Sequence, residues 1–110
     1  MSLRLNIRNR ATQDLRLQAN YILMHGSPAK ASAFLESAVV TFEQLRQMPQ
    51  IGRVSQLVVS RLGEIRQWRL KGFKDYLVFY QVQDNLVDIL RVLHGTRDLE
   101  DILSSLDEEV

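Results

Sequence analysis

The sequence of 110 residues predicts an α+β fold, because its hydrophobic pattern changes period along the chain. In residues 12–47 apolar side chains recur every three or four positions, which is typical of amphipathic helices. In residues 65–94 they alternate or form short runs of β-branched and aromatic residues, which favours strands. We therefore expect an N-terminal strand, an antiparallel helical hairpin and a three-stranded antiparallel meander in one sheet, followed by a short C-terminal helix.

The N-terminal stretch predicts one strand that leads into the first helix. Leu3, Leu5 and Ile7 alternate with polar residues, a period of two that indicates a half-buried strand. Thr12 is the expected N-cap of the helix that follows. Asp14 then falls in the first helical turn, where a negative charge is favourable.

The segment HGSP at 25–28 separates two predicted helices. Glycine suits the position after a helix, and serine followed by proline suits the start of the next one. So short a break favours an antiparallel helical hairpin. The expected apolar faces comprise Leu15, Ala19, Ile22 and Leu23 in the first helix and Ala31, Phe34, Leu35, Ala38, Val39, Phe42 and Leu45 in the second.

The second half of the chain predicts three consecutive strands, at 65–70, 76–82 and 86–94. The turns between them are KGFKD, where Gly72 supplies the unusual backbone angle, and QDN. The last strand carries apolar residues on both faces, so we expect it to lie centrally in the sheet. Residues 53–64 fit either a short strand or an irregular segment.

Charge is distributed unevenly along the chain. Residues 98–110 contain six acidic residues and neither Lys nor Arg, whereas residues 1–97 hold all 14 basic residues against 7 acidic ones, a net charge of +7. Eleven of the 14 basic residues are arginines, which favour bidentate contacts with carboxylates and phosphates. The pattern indicates an acidic or polyanionic partner, although a solvated surface with an acidic C-terminal tail fits it equally well.

Composition also limits the classes of function. The length suits a single domain over residues 1–110, and no apolar run approaches the ~20 residues that span a bilayer. No cysteine and only two histidines are present, so we expect neither a metal site nor a cofactor. The absence of cysteine and of a signal-like apolar segment fits a cytoplasmic protein.

Four motifs, in this order and spacing, resemble the RelE/ParE toxin superfamily of type II toxin–antitoxin systems. ATQDLRLQANYI at 11–22 is similar to the early helix of that family, and MPQIGR at 48–53 resembles its Pro–Gly segment. RLKGFKDYLVFYQV at 69–82 and VDILRVLHGTRD at 87–98 are similar to the C-terminal signature of the ParE branch, the plasmid stabilisation proteins. The resemblance extends over residues 3–103 and implies the fold expected above.

The resemblance implies one of two mechanisms and a protein partner. RelE-like members cleave mRNA on the ribosome, whereas ParE-like members poison DNA gyrase and are not known as nucleases. Both classes are neutralised by an antitoxin, so the resemblance implies a hetero-oligomer with a ParD-like protein that carries acidic and apolar side chains. An inactivated relative that only binds the antitoxin is a third possibility.

A nuclease would need a general base, a general acid and cations that stabilise the phosphorane. Arg66, Arg69 and Arg91 lie on adjacent predicted strands and could share a face, and His94 is the one plausible proton shuttle. Glu64 is a weaker candidate. However, the RelE-like pattern ends in a tail with Tyr or His–Tyr, and no Tyr, His or Lys follows His94 here. The sequence therefore favours the ParE-like mechanism, with His94 in a structural role at a strand-to-helix corner.

Two further sets of residues are candidates for contacts with partners. Asp98 is expected to cap a C-terminal helix with apolar residues at helical spacing, where the chain departs from the nuclease pattern. The candidates for contact with the target are Arg69, Arg91, His94, Arg97, Leu99 and Leu103. The candidates for contact with the antitoxin, on the helical hairpin and along a sheet edge, are Leu15, Phe34, Trp68 and Tyr76.

Overall fold

A computed structural model describes residues 3–55 and 63–98 of the chain. Within them the elements follow one another in the expected order. They are β1 (Arg4–Ile7), α1 (Asn9–His25), α2 (Pro28–Gln47), β2 (Arg53–Val54), β3 (Arg66–Leu70), β4 (Phe73–Gln83) and β5 (Leu86–His94). The α+β class predicted from the sequence is confirmed.

The strands form one five-stranded sheet with the order β1-β5-β4-β3-β2. Strands β3, β4 and β5 form the predicted antiparallel meander, and β1 pairs with β5 in parallel. Strand β5 therefore lies between β1 and β4, as its apolar residues on both faces indicated. The fifth strand, β2, is only two residues long and pairs with the start of β3. It resolves part of the ambiguous stretch 53–64, of which 56–62 lies outside the described residues.

Two tight turns connect the strands of the meander. Gly72 has a φ of +77°, a left-handed conformation that costs glycine little. In the second turn the left-handed residue is Asp84, with a φ of 53°, which aspartate tolerates better than most residues. The first turn is shorter than KGFKD suggested, because β4 already begins at Phe73 and Leu70 pairs with Phe73.

Helix α1 begins earlier than the sequence predicted. Its first residue is Asn9, and Arg8 stands at the N-cap without a side-chain cap. Thr12 is not the cap, since its amide already donates to the Arg8 carbonyl at 3.0 Å as part of the helix. The reason is tertiary: the Arg8 amide donates to the Ile89 carbonyl at 3.0 Å, so the backbone is still bonded to β5 at the residue where the helix begins.

Both helices pack on one face of the sheet and form the main core there. In this core the ring of Phe34 meets those of Phe73 and Tyr76 edge-on, at 5.4 and 4.9 Å between centroids. The sequence assigned too many residues to the apolar faces of the two helices, because Leu23, Leu35 and Val39 are exposed in the structure. The buried residues of the cluster are Ala11, Ala19, Phe34, Ala38, Phe42, Leu45, Leu70, Tyr76, Val78, Tyr80, Val87, Ile89 and Val92.

The edge of β5 beyond β1 is closed by side chains instead of a strand. Strand β1 ends at Ile7, opposite Ile89, so the later amides of β5 have no partner in β1. The Val92 amide donates to Asp14 Oδ2 at 3.0 Å, and the His94 amide donates to Asp98 Oδ2 at 2.8 Å. Two carboxylates thus take the place of strand carbonyls.

Asp14 also forms a buried ion pair with Arg91. Arg91 Nε and Nη2 donate to the two carboxylate oxygens at 2.7 and 3.0 Å, and only 2% of Arg91 is exposed. Asp14 is therefore not the favourable first-turn charge that the sequence suggested. It lies in the second turn of α1 and joins the helix to β5.

We predict that Asp14→Asn lowers the free energy of unfolding by about 3–5 kcal/mol, because it leaves the Arg91 charge buried without its counter-ion. The double variant Asp14→Asn/Arg91→Met should lose less than the single variant, since the unpaired charge is then removed. Urea denaturation of the isolated chain measures both values.

Arg8→Met is the matched control, because Arg8 pairs with Asp88 at 2.8 Å but its side chain is 34% exposed. A smaller loss of stability is expected there. Equal losses for Asp14→Asn and Arg8→Met would contradict the assigned role of the buried pair.

Candidate functional site

The side chains that a nuclease would need do not converge in the structure. Arg91 is buried and bound to Asp14, so its guanidinium is already neutralised by a carboxylate. Arg66 lies opposite Tyr80 and Arg69 lies opposite Leu77, which are on different faces of β4. The three arginines therefore do not share a face, as the sequence alone had allowed, because residues three apart in a strand point to opposite sides.

Arg66 and Arg69 consequently have different surroundings. Arg66 Nη1 donates to the Gly52 carbonyl at 2.6 Å, and its Nη2 is 3.9 Å from Glu64. It thereby holds the segment that connects α2 with β2. Arg69 is exposed on the other face of the sheet. Of the three arginines, it is the one that presents its charge to solvent.

His94 is held as an acceptor at the corner after β5. Its Nδ1 accepts from the amides of Thr96 and Arg97 at 3.2 and 2.9 Å, so the ring proton is on Nε2. The ring is half-buried and lies edge-on to Tyr76, with the centroids 5.1 Å apart. The described geometry is that of a side chain that organises a turn.

Arg97 and Asp98 complete this corner and connect it to α1. Asp98 accepts from Gln18 Nε2 at 2.7 Å, in addition to the His94 amide. Arg97 Nη2 donates to Gln18 Oε1 at 2.5 Å and to the Tyr76 hydroxyl at 3.2 Å. Burial opposes the charge of Arg97, but the contacts with Tyr76 and the field of Asp98 outweigh it and raise the pKa of Arg97.

The predicted C-terminal helix, with the target candidates Leu99 and Leu103, lies outside the described residues. The Asp98 carboxylate itself accepts from the His94 amide behind it. Its own amide donates to the His94 carbonyl at 3.1 Å. Within the described part of the chain, HGTRD at 94–98 is therefore a closed turn.

An aromatic and cationic stack beside this corner was not predicted. The Arg97 guanidinium carbon lies 3.8 Å from the centroid of the Tyr21 ring, and the His25 ring stacks on Tyr21 at 4.0 Å with an interplanar angle of 18°. The spacing of Tyr21 and His25, four residues apart on a helix, is a signal for their contact. Nothing in the sequence places Arg97 next to them.

The candidates for antitoxin contact separate into core and surface. Phe34 and Tyr76 belong to the core, so they support a surface without forming it. Leu15 is half-buried against the same core. Trp68 is half-buried as well, with its Nε1 donating to Gln44 Oε1 at 3.4 Å, and it lines a groove.

This groove, of about 1040 Å³, runs along the outer edge of β3 and is called the β3 groove below. Strand β2 covers only Arg66 and Gln67, so no described strand pairs with the outer edge of residues 68–70. The apolar side chains that line the groove are Val40, Ile51, Trp68, Leu70 and Leu77, and its charged residues are Arg53, Arg69, Lys71, Lys74 and Asp75. The groove is thus apolar and mainly basic.

Tyr80 fixes one wall of the β3 groove. Its hydroxyl accepts from the Gly52 amide at 3.0 Å and donates to the Pro49 carbonyl at 2.8 Å. Burial raises the pKa of Tyr80, which keeps the phenol neutral. Tyr80 therefore anchors the MPQIG segment at 48–52.

Among residues 3–55 and 63–98, no group of three or more His, Cys, Asp or Glu side chains is placed to hold a metal ion. In the same ranges no helix is both long enough and apolar enough to cross a membrane.

Comparison with known proteins identifies the family. The chain resembles a solved structure described as a chromosomal ParDE toxin–antitoxin system from P. aeruginosa, with a TM-score of 0.69 and 19% sequence identity over 84% of this chain and 96% of the other. At that identity the likeness concerns the fold. No curated protein sequence matches significantly. The family model for the ParE toxin of the type II toxin–antitoxin system parDE matches residues 5–99, and the chain therefore belongs to the ParE toxin family.

Proposed function

We propose that this ParE-family chain arrests bacterial growth by poisoning DNA gyrase in the cytoplasm, and that a ParD-like antitoxin neutralises it. The observation that carries the choice of gyrase over mRNA is the dispersal of the nuclease candidates. Arg91 is buried with Asp14, and Arg66 and Arg69 point to opposite faces of the sheet. The proposal is thus supported because the described candidate residues do not form a group that could cleave RNA.

Cleavage through the 2′-hydroxyl needs an acid, a base and cations around one phosphate. His94 is the shuttle nearest to such a site, but its Nδ1 accepts two backbone amides. That leaves one ring nitrogen, already protonated, for chemistry. A toxin that acts by binding another protein needs no such arrangement.

The test combines two assays with two substitutions. In His94→Asn the amide oxygen lies near the position of Nδ1 and keeps the acceptor for Thr96 and Arg97, whereas in His94→Gln the amide lies farther out. We predict that the chain inhibits supercoiling by purified gyrase, and that His94→Asn retains this inhibition better than His94→Gln. Primer extension on ribosome-bound mRNA should show no cleavage by any of the three proteins.

Two results would contradict the proposal. Cleavage of mRNA that falls by about 10²–10⁴-fold in both His94 variants would establish a RelE-like nuclease, because a general acid–base group contributes that much. Normal growth on induction without the neighbouring antitoxin gene would indicate an inactivated relative that retains antitoxin binding.

The proposed antitoxin site is the β3 groove. Its edge at residues 68–70 has backbone groups that an added strand can pair with, and Trp68 offers a large apolar anchor. The four cations around it, against Asp75 alone, favour a segment with acidic side chains. An acidic and apolar peptide that adds to the β3 edge satisfies all three features.

We expect the double reversal Lys71→Glu/Lys74→Glu to weaken antitoxin binding at least tenfold. Most of this loss should come from a lower association rate constant, since charges at a rim mainly change the association rate. Surface plasmon resonance at two salt concentrations measures this effect. The control is Arg4→Glu/Arg16→Glu, which reverses two exposed charges away from the groove. Equal weakening by both pairs would indicate a net-charge effect and not a site.

A further inference from the structure

Helix α1 carries apolar side chains on its outer side. Leu17, Tyr21 and Met24, at positions i, i+4 and i+7, are 60%, 40% and 80% exposed. This spacing places them in one stripe along the helix. Single exposed apolar residues are common, but a continuous stripe of three is typical of a contact surface.

The stripe is extended by a preformed stack. Arg97 and His25 are both about 4 Å from the Tyr21 ring, so they occupy its opposite faces. Each is also fixed by hydrogen bonds: Arg97 by Gln18 and Tyr76, and His25 by the contact of its Nδ1 with the Tyr21 carbonyl at 2.9 Å. Side chains that are ordered before binding lose little conformational entropy in a complex.

The charges around the stripe indicate the chemistry of its partner. Arg10 and Arg97 line a cleft of about 360 Å³ beside Leu17 and Tyr21. The two carboxylates in that cleft are already engaged, Asp14 with Arg91 and Asp98 with Gln18. With Arg91, the cleft is lined by three guanidinium groups and two carboxylates, so its net charge is positive. An acidic protein surface with apolar residues complements this charge and the apolar stripe.

A nucleic acid fits this surface less well. Bases bind to proteins by stacking on open aromatic faces, but both faces of Tyr21 are occupied. Leu17 and Met24 give no contact to phosphates. Arginine, tyrosine and methionine together are instead the residues enriched in protein interfaces.

We propose that Leu17, Tyr21, Met24, His25 and Arg97 form the surface that binds the protein target of the toxin, called the α1 patch below. The inference rests on the proposed function in one respect, that the target is a protein. It adds where on the chain the target binds. The α1 patch lies on α1 beside β5, whereas the β3 groove runs along the outer edge of β3 and approaches the patch at Thr96, next to Arg97. Leu17 and Met24 do not line the groove, so changes there distinguish the target surface from the antitoxin site.

The test compares two double variants at exposed helical positions. Leu17→Ala/Met24→Ala removes the two most exposed side chains of the stripe, and Leu35→Ala/Val39→Ala removes an apolar pair from α2 that is 42% and 69% exposed. Alanine is the strongest helix former, so both chains should fold. The measurements are inhibition of gyrase supercoiling, affinity for the antitoxin, and growth arrest on induction.

The α1 patch variant should inhibit gyrase at least tenfold less than the wild type, bind the antitoxin within twofold of it, and lose growth arrest. The control pair should behave as the wild type in all three assays. Inhibition that falls equally in both variants, or an α1 patch variant that loses antitoxin affinity as strongly as inhibition, would overturn the assignment.

Growth arrest separates this inference from the proposed function. If the wild type leaves gyrase unaffected but arrests growth, the choice of gyrase is wrong, and the α1 patch is supported only if its variant alone loses the arrest. An α1 patch variant that arrests growth like the wild type overturns the α1 patch. A wild type that arrests nothing overturns both.

Other occupants of the α1 patch give different results. Coverage by the acidic residues 99–110 of the same chain would make Leu17→Ala/Met24→Ala lower the midpoint of thermal unfolding while the control does not. A second copy of the chain would appear as a dimer in light scattering that the α1 patch variant abolishes. Binding of labelled duplex DNA by the wild type that the variant loses would assign the surface to nucleic acid. Each of these results would overturn the proposal.

Discussion

The carboxylate of Asp14 is the point on which the arrangement of α1 and the sheet depends. It accepts the Val92 amide, where β1 no longer pairs with β5, and it neutralises the buried Arg91. Without it the structure would bury both an unpaired backbone donor and an unpaired charge, each of which is costly. Because a carboxylate meets both groups only from one position, the contact sets the position of the helix along the strand.

A second polar contact between α1 and the end of β5 lies one turn later on the same side of the helix. Gln18 binds Asp98, whose other contact is the His94 amide, so the corner after β5 is joined to α1 as well. With this side of α1 engaged by polar groups, the neighbouring stripe of Leu17, Tyr21 and Met24 remains exposed. The surface proposed for the target is thus a consequence of how the helix closes the sheet edge.

The β3 groove, proposed as the antitoxin site, lies at the opposite edge of the sheet and has a different origin. At the far side of the sheet β2 pairs with only two residues of β3, and the rest of that edge faces a groove with an apolar lining and basic residues. An exposed strand edge is a hazard for association unless a partner or a charge protects it. The lysines and arginines around Trp68 are consistent with such protection and with an acidic antitoxin. In this proposal one edge is closed within the chain, whereas the other is left for a partner.

The hydrophobic periods of the sequence by themselves determined the α+β class, the order of the elements and the bounds of β5. Those properties depend on local patterns of residues, which can be read directly from the sequence. The tertiary structure decided what the charged residues do. Asp14 and Arg91 are 77 positions apart, and Tyr21 and Arg97 belong to different elements. No local pattern reports such pairs, because burial and pairing depend on where the sheet edge ends. For that reason Arg91, a candidate for catalysis in sequence, is a structural residue in the fold, while Tyr21 and His25 became candidates only there.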